Sequence, residues 1–321
     1  MSIDLNITLA NTRLKIGETT TATFAFSEAV RGFTNDDVVL TDANGTLGTL
    51  TANADGKTWT ATFTPTANVE DASNTIGVNL AGVTDAAGNA GTGSASSANY
   101  SIDTKRPVVN STTIADPKLC AGESTTVTIT FSEALKQNSF TLDTLFSFSL
   151  NGGTFSDLRT TDDITWQLTL TAPTSGTSST GNYIGLRWNH LIDLAGNRGL
   201  NGEMHLSEAL YDIDLVRPTA TITLADTALT VGETTTVTFA FSEPVTGFTI
   251  DDIVLTDANG TLGTLTANTN RTVWTATFTP TANVSDTSNT ISINLTGLTD
   301  DAGNAGVSTA TSANYTVDTR P

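Results

Sequence analysis

The chain repeats itself, and the length of the repeat limits what it can fold into. Residues 40–53 (LTDANGTLGTLTAN) return letter for letter at 255–268, and residues 59–69 (WTATFTPTANV) return at 274–284. A looser copy lies between them, marked by Phe131-Ser132-Glu133, Trp166 and Asp193-Leu194-Ala195-Gly196-Asn197. A unit of roughly 107 residues is too long for a solenoid turn and suits one small β domain. The 321 residues therefore divide into 1–104, 105–215 and 216–321, each large enough for its own core.

Within each unit the apolar residues alternate, the period of a half-buried strand. In the first copy Leu5, Ile7 and Leu9 form one such set, Ala22, Phe24 and Phe26 a second, and Trp59, Ala61 and Phe63 a third; Ile76, Val78 and Leu80 follow, and Tyr100 with Ile102 close the unit. Ile16-Gly17-Glu18, Asn44-Gly45 and Asp55-Gly56 supply turns between them. Seven short strands predict an all-β fold: three tandem immunoglobulin-like antiparallel sandwiches forming an extended rod of about 100 Å. Trp59, Trp166 and Trp274 fall on inward positions and are expected in the cores.

Lys plus Arg number 14 against 33 Asp plus Glu, a net charge of −19. Such a field repels nucleic acid and anionic lipid and attracts cations. No apolar run has the roughly 20 residues of a membrane span. The first residues do not read as a secretory signal, and the chain closes on the sequence that links the earlier units, so it reads as a piece of a longer protein. Cys120 is the only cysteine, so the units fold without disulfides; it is expected as an incidental thiol on a surface turn. Ser, His and Asp are present but nothing arranges them as a triad, and no nucleophile elbow or phosphate loop occurs; no enzyme activity is expected.

Five polar positions recur in all three units and lie outside the core pattern. They are the glutamate ending the second strand (Glu28, Glu133, Glu243), an aspartate in the following loop (Asp36, Asp143, Asp251), the Asp-x-x-Gly-Asn loop (Asp85 and Asn89, Asp193 and Asn197, Asp300 and Asn304), and the aspartate closing each unit (Asp103, Asp214, Asp318). Strand order brings the loops after the second and sixth strands to the pole where a unit begins, facing the exit of the unit before. Glu133, Asp143, Asp193 and Asn197 are thus expected to meet Asp103, and Glu243, Asp251, Asp300 and Asn304 to meet Asp214. Clustered carboxylates repel unless protonated or neutralised. An all-oxygen set suits Ca²⁺, with six to eight oxygen ligands; Zn²⁺ would want nitrogen or sulfur, and Mg²⁺ fewer protein ligands. The glycine of each loop (Gly88, Gly196, Gly303) permits the tight turn. The competing reading of the same loop is a turn in which the Asp binds backbone amides and metal plays no part. Asp37 and Asp252 rank lower because the middle unit has Thr144 there, and Glu18, Glu123 and Glu233 read as strand starts.

Phe-Ser-Glu, the Asp-x-Ala-Gly-Asn loop and the closing Tyr-x-Ile/Val-Asp-Thr-x-Arg-Pro resemble the bacterial Ig-like repeats of large secreted surface adhesins, over essentially the whole chain. The resemblance implies a type I-secreted, extracellular, calcium-stiffened extender of a cell-surface or biofilm adhesin, monomeric, with neighbouring repeats of the same chain as partners. Extracellular modules bind Ca²⁺ with Kd of roughly 10⁻⁴ to 10⁻³ M. The middle unit has longer loops, an added stretch at 200–206 and a Trp188-Asn189-His190 without counterpart; His190 and His205 are expected as ordinary solvated or packed histidines. A carbohydrate- or peptide-binding module centred on this unit is the alternative function. The threonine arrays read as solvent faces of ordinary strands.

Overall fold

Alternation becomes architecture directly. A computed structural model describes residues 3–148, 152–200 and 204–321. In the first repeat β1 (Leu5–Leu9), β2 (Thr20–Phe26), β3 (Gly45–Leu47) and β4 (Thr58–Pro65) form one antiparallel layer in the order β1-β2-β4-β3. Along β2 every second residue is buried, from Thr20 to Phe26. The opposite layer is built of two short three-stranded sheets. Glu70–Asn74 pairs antiparallel with Tyr100–Asp103, which in turn pairs in parallel with Arg13–Lys15. Gly77–Asn79 lies between Val38–Val39 and Ser94–Ser96. The third repeat copies this arrangement, and in the second the two layers are four-stranded sheets.

Each repeat closes over its own core. Phe24, Phe63, Ile76 and Tyr100 anchor the first, Phe131, Leu168, Ile184 and Tyr211 the second, and Phe239, Phe278, Ile291 and Tyr315 the third. Truncating Phe24, fully buried, to Ala should cost about 3–5 kcal/mol. Trp59, Trp166 and Trp274 sit on these cores as expected, edge-on to Phe33, Phe140 and Phe248 at 5.6, 5.2 and 5.4 Å between ring centroids. Tyr100 buries its ring and satisfies its hydroxyl by donating to the Ala43 carbonyl at 2.7 Å; Tyr315 repeats the contact with Ala258.

Two pairings position the ends of each repeat. The parallel ladder sets Lys15 beside Asp103, so the first turn of a repeat and its closing aspartate leave the domain side by side. At the other pole a short antiparallel bridge ties the loop after the second strand to the Asp-x-x-Gly-Asn loop: Asp85 with Val30, Leu135 with Asp193, Thr246 with Thr299. Trp188 is buried in the second core within a 3-10 turn, Trp188–His190, and His190 is exposed. Asn201, Gly202 and Glu203 of the added stretch lie outside the described residues, as does the side chain of His205. Among the described residues no helix is long and apolar enough to cross a membrane.

Candidate metal centres at the repeat junctions

The Asp-x-x-Gly-Asn loop is a self-contained turn before it is anything else. Asp193 Oδ1 accepts the N–H groups of Gly196 and Asn197 at 2.6 and 2.8 Å, and its Oδ2 accepts Asn197 Nδ2–H at 2.9 Å. Gly196 has φ +94°, the left-handed region where a Cβ is strained, and Gly88 and Gly303 match it at +89° and +93°. Asp85 and Asp300 also cap their own loops, accepting the Ala87 or Ala302 N–H in place of the glycine's, with the Asn N–H and Nδ2–H as before. The backbone-amide bonding of the turn reading is therefore present in all three loops. It leaves lone pairs on Oδ2, because one carboxylate accepts about four hydrogen bonds.

What distinguishes two of the three loops is their company. Asp103 from the first repeat meets Glu133 and Asp193 of the second, and Asp214 from the second meets Glu243 and Asp300 of the third. In each group one carboxylate oxygen per residue lies within 4.8 Å of the others. Oxygens gathered this closely can share one Ca²⁺, whose Ca–O distances are roughly 2.3–2.6 Å. Asp193 and Asp300 are buried, and the other four are partly so.

Electrostatics shows the strain of this arrangement. Burial, followed by the charges of Asp193 and Asp103, pushes Glu133 up to about 7, with Glu70 adding to the effect and Lys105 opposing it. Burial and then Asp193 also raise Asp103. Glu243 is raised by burial and by Asp300, Asp214 and Asp301. Its Oε1 is buried with no hydrogen-bond partner, an orphaned acceptor of the kind that native structures rarely leave unmatched. Oxygen-only donors, an orphaned carboxylate oxygen and like charges in contact fit a hard divalent cation.

The other expected ligands are placed differently. Asp36, Asp143 and Asp251 are exposed on 3-10 turns, outside both three-oxygen groups. This is a correction with a local cause. In each turn the next residue, Asp37, Thr144 or Asp252, folds back to accept the N–H of Thr34, Thr141 or Thr249, at 2.9, 3.3 and 2.8 Å. The preceding aspartate is thereby directed to solvent. Thr144 is thus a like-for-like acceptor, which explains why the middle repeat can dispense with an aspartate there. Asn197 and Asn304 lie at the junctions, but their carboxamide oxygens take backbone N–H groups of the preceding repeat, from Ile16 at 2.9 Å and Ala121 at 3.3 Å. Glu18, Glu123 and Glu233 close the first turn of each repeat by accepting the N–H of Lys15, Cys120 and Thr230.

At the two outer poles the sets are partial. Glu28, Asp85 and Asn89 stand at the start of the first repeat, and Asp318 at the end of the third is held by Arg320 through two bonds of 2.9 and 3.1 Å. Cys120 is half-buried rather than exposed. It faces the third repeat, where a Cβ on Gly303 would lie 3.9 Å from its Sγ. Burial and Glu123 push its thiol up to about 11, away from reactivity, and it stands outside the three-oxygen group. Sequence reasoning missed one contributor, the arginine before the linker proline: Arg106 donates to the carbonyls of Arg198 and Gly199, and Arg217 to that of Ala305 at 2.9 Å. The recurrence of Arg-Pro after each closing aspartate was the available signal.

The model of a family described as "Bacterial Ig-like domain" matches residues 2–102, 103–209 and 214–317. The chain is similar in fold to a solved structure described as "FdeC, a Novel Broadly Conserved Escherichia coli Adhesin Eliciting Protection against Urinary Tract Infections". That likeness has 19% identity and a TM-score of 0.46, over 99% of this chain and 98% of the other. A three-domain fragment of the titin I-band is similar at 9% identity and a TM-score of 0.36, over 100% of both chains. No curated protein matches the chain.

Proposed function

The chain belongs to the bacterial Ig-like domain family, and from that premise we propose that it is a non-catalytic extender of a bacterial cell-surface adhesin, stiffened by Ca²⁺ at its inter-repeat junctions. In this reading the three sandwiches act as a spacer that projects distal ligand-binding domains for adhesion or biofilm formation outside the cell. Family membership and the tandem arrangement support the spacer part. The adhesin part rests on the motif resemblance of the sequence.

One observation carries the calcium part: a closing aspartate meets a glutamate and an aspartate of the following repeat, and this happens twice. Asp103, Glu133 and Asp193 would hold one ion, and Asp214, Glu243 and Asp300 the other, with water or main-chain oxygens completing six to eight ligands. When bound, the ion would supply the positive charge that three facing carboxylates lack. Because the ligands come from two repeats, occupancy couples their orientations. Without a cation the same carboxylates push the repeats apart, against the rest of the junction.

Small-angle scattering together with calorimetry tests the proposal. Millimolar Ca²⁺ should bind at two sites and give a rod of roughly 100 Å with a sharp maximum dimension; EDTA should broaden it. Two sites of no measurable affinity, or scattering that is the same in Ca²⁺ and EDTA, would refute the calcium part. A second reading has one observation in its favour. A cleft of about 520 Å³ opens at the first junction, lined by Ile16, Pro65, Thr104, Arg106, Val108 and Leu200, the last from the middle repeat's added stretch. Glycan or peptide binding that disappears with Leu200→Asp would move the function to that cleft.

A further inference from the structure

At both junctions one side chain reads the main chain of the preceding repeat. Asn197, 3% exposed, donates through Nδ2 to the Asp103 carbonyl at 2.9 Å and accepts the Ile16 N–H on Oδ1 at 2.9 Å. Its second Nδ2–H goes to its own Asp193 at 2.9 Å. Asn304, 5% exposed, repeats this with the Asp214 carbonyl at 3.0 Å, the Ala121 N–H at 3.3 Å and Asp300 at 2.9 Å. Only a carboxamide offers two donors and an acceptor in one plane, so neither Asp nor Leu could make the set.

The two main-chain groups read by Asn197 belong to different segments of the first repeat. They are fixed against each other by the parallel pairing of Lys15 with Asp103, so the carboxamide grips a rigid edge at two points. Two points fix rotation as well as distance. A third contact runs the other way, from Arg106 to the Arg198 and Gly199 carbonyls, with Arg217 and Ala305 as its counterpart. None of these contacts needs a cation.

We propose that Asn197 and Asn304 are inter-repeat latches that set the angle between successive repeats before any cation binds. The inference rests on the calcium reading only in this respect: binding then locks a junction already in register, and its affinity depends on that register. Asn89 supplies an internal control. It makes the same bonds to its own Asp85, at 2.8 and 2.7 Å, and is exposed.

The test uses the whole chain with spin labels on the first and second repeats and compares wild type, Asn197→Ala and Asn89→Ala in EDTA and in Ca²⁺. In EDTA the Asn197→Ala variant should widen the inter-repeat distance distribution about twofold, and by calorimetry the first site should need about tenfold more Ca²⁺, the size of losing one to two buried hydrogen bonds. Asn89→Ala, which loses the same side-chain bond to its own loop aspartate, should match wild type in both readouts. If Asn197→Ala folds poorly, Asn197→Asp keeps the shape but loses the donor to the Asp103 carbonyl; it should widen the EDTA distribution and be narrowed by Ca²⁺. Distributions that stay as narrow as wild type in EDTA, with unchanged Ca²⁺ affinity, would overturn the latch. The outcomes separate the two ideas. If wild type is the same with and without Ca²⁺ while Asn197→Ala widens, the latch stands and the calcium reading falls. If wild type narrows in Ca²⁺ and Asn197→Ala tracks it throughout, the reverse holds.

Discussion

The two junctions carry the same three carboxylates in different surroundings. At the first, Lys105 bridges to Glu70 at 3.6 Å and acts on Glu133 and Asp103, and Lys15 lies over the loop, its Nζ 3.2 Å from where a Cβ on Gly196 would stand. At the second, the matching residues are Val216, Ser178 and Cys120. Ser178 donates its hydroxyl to Asp214 at 3.0 Å, and Leu194 of the first junction is replaced by Asp301. Lys118 lines the same cleft as Asp214 and Glu243, and Arg271 is engaged by Asp301 at 2.9 Å and by Thr246. The first junction thus sets Lys105 against its carboxylates, where the second has the uncharged Val216. A shared ligand set can therefore be tuned by residues that touch no metal.

Measurements on both junctions test this contrast. The largest effect should be common to both junctions: Asp193→Ala and Asp300→Ala each remove an acceptor of three hydrogen bonds and should destabilise their own repeat by about 3 kcal/mol in denaturant unfolding. A large inequality between them would show that the loops are not equivalent. Next, Glu243→Gln removes one charge from the second group and should weaken its Ca²⁺ binding by about 2 kcal/mol, roughly thirtyfold by calorimetry, leaving the first site unchanged.

Acid should act mainly on the first junction. Glu133 is raised to about 7, so the cation-free junction takes up a proton that separated repeats would release. That stabilisation is present at low pH and is lost as pH rises through 7. Ca²⁺ binding needs the ionised carboxylate and runs the opposite way, so affinity at the first site should fall about tenfold from pH 8 to pH 6. An affinity independent of pH in that range would refute the placement of Glu133. The smallest change should come from Lys105→Val, which gives the first junction the residue of the second. It should raise Ca²⁺ affinity by about 1 kcal/mol, near fivefold, with the gain fading as salt is added. Equal affinity before and after would remove the contrast between the junctions.

Much of the fold was legible because strand periodicity and turn residues are local signals. Phe24, Phe63 and Tyr100 announce a buried face by their spacing, and Asn44-Gly45 announces a turn. The meeting of Asp103 with Glu133 and Asp193 followed from strand order alone, since order decides which loops share a pole. Asp143 and Asn197 show where this kind of reasoning stops. Whether an aspartate in a 3-10 turn faces inward depends on the capping bond made by its neighbour, and whether an asparagine faces an ion or a backbone depends on what is docked against it. Likewise Trp59 and Trp274 bury Nε1–H groups without a partner while Trp166 donates to the Asp163 carbonyl, a difference that no spacing reveals.

Three all-β sandwiches, their core positions and the acidic poles can be read from the residues alone, because alternation, turn chemistry and charge are written residue by residue. Which oxygens converge, which asparagine nitrogen meets a carbonyl of another repeat, and which lysine lies close enough to be felt emerge from the packing of one repeat on the next. Those outcomes depend on distances of a few ångströms between segments from about thirty to about ninety residues apart in the chain, and at that range hydrogen bonding and Coulomb attraction change steeply with position.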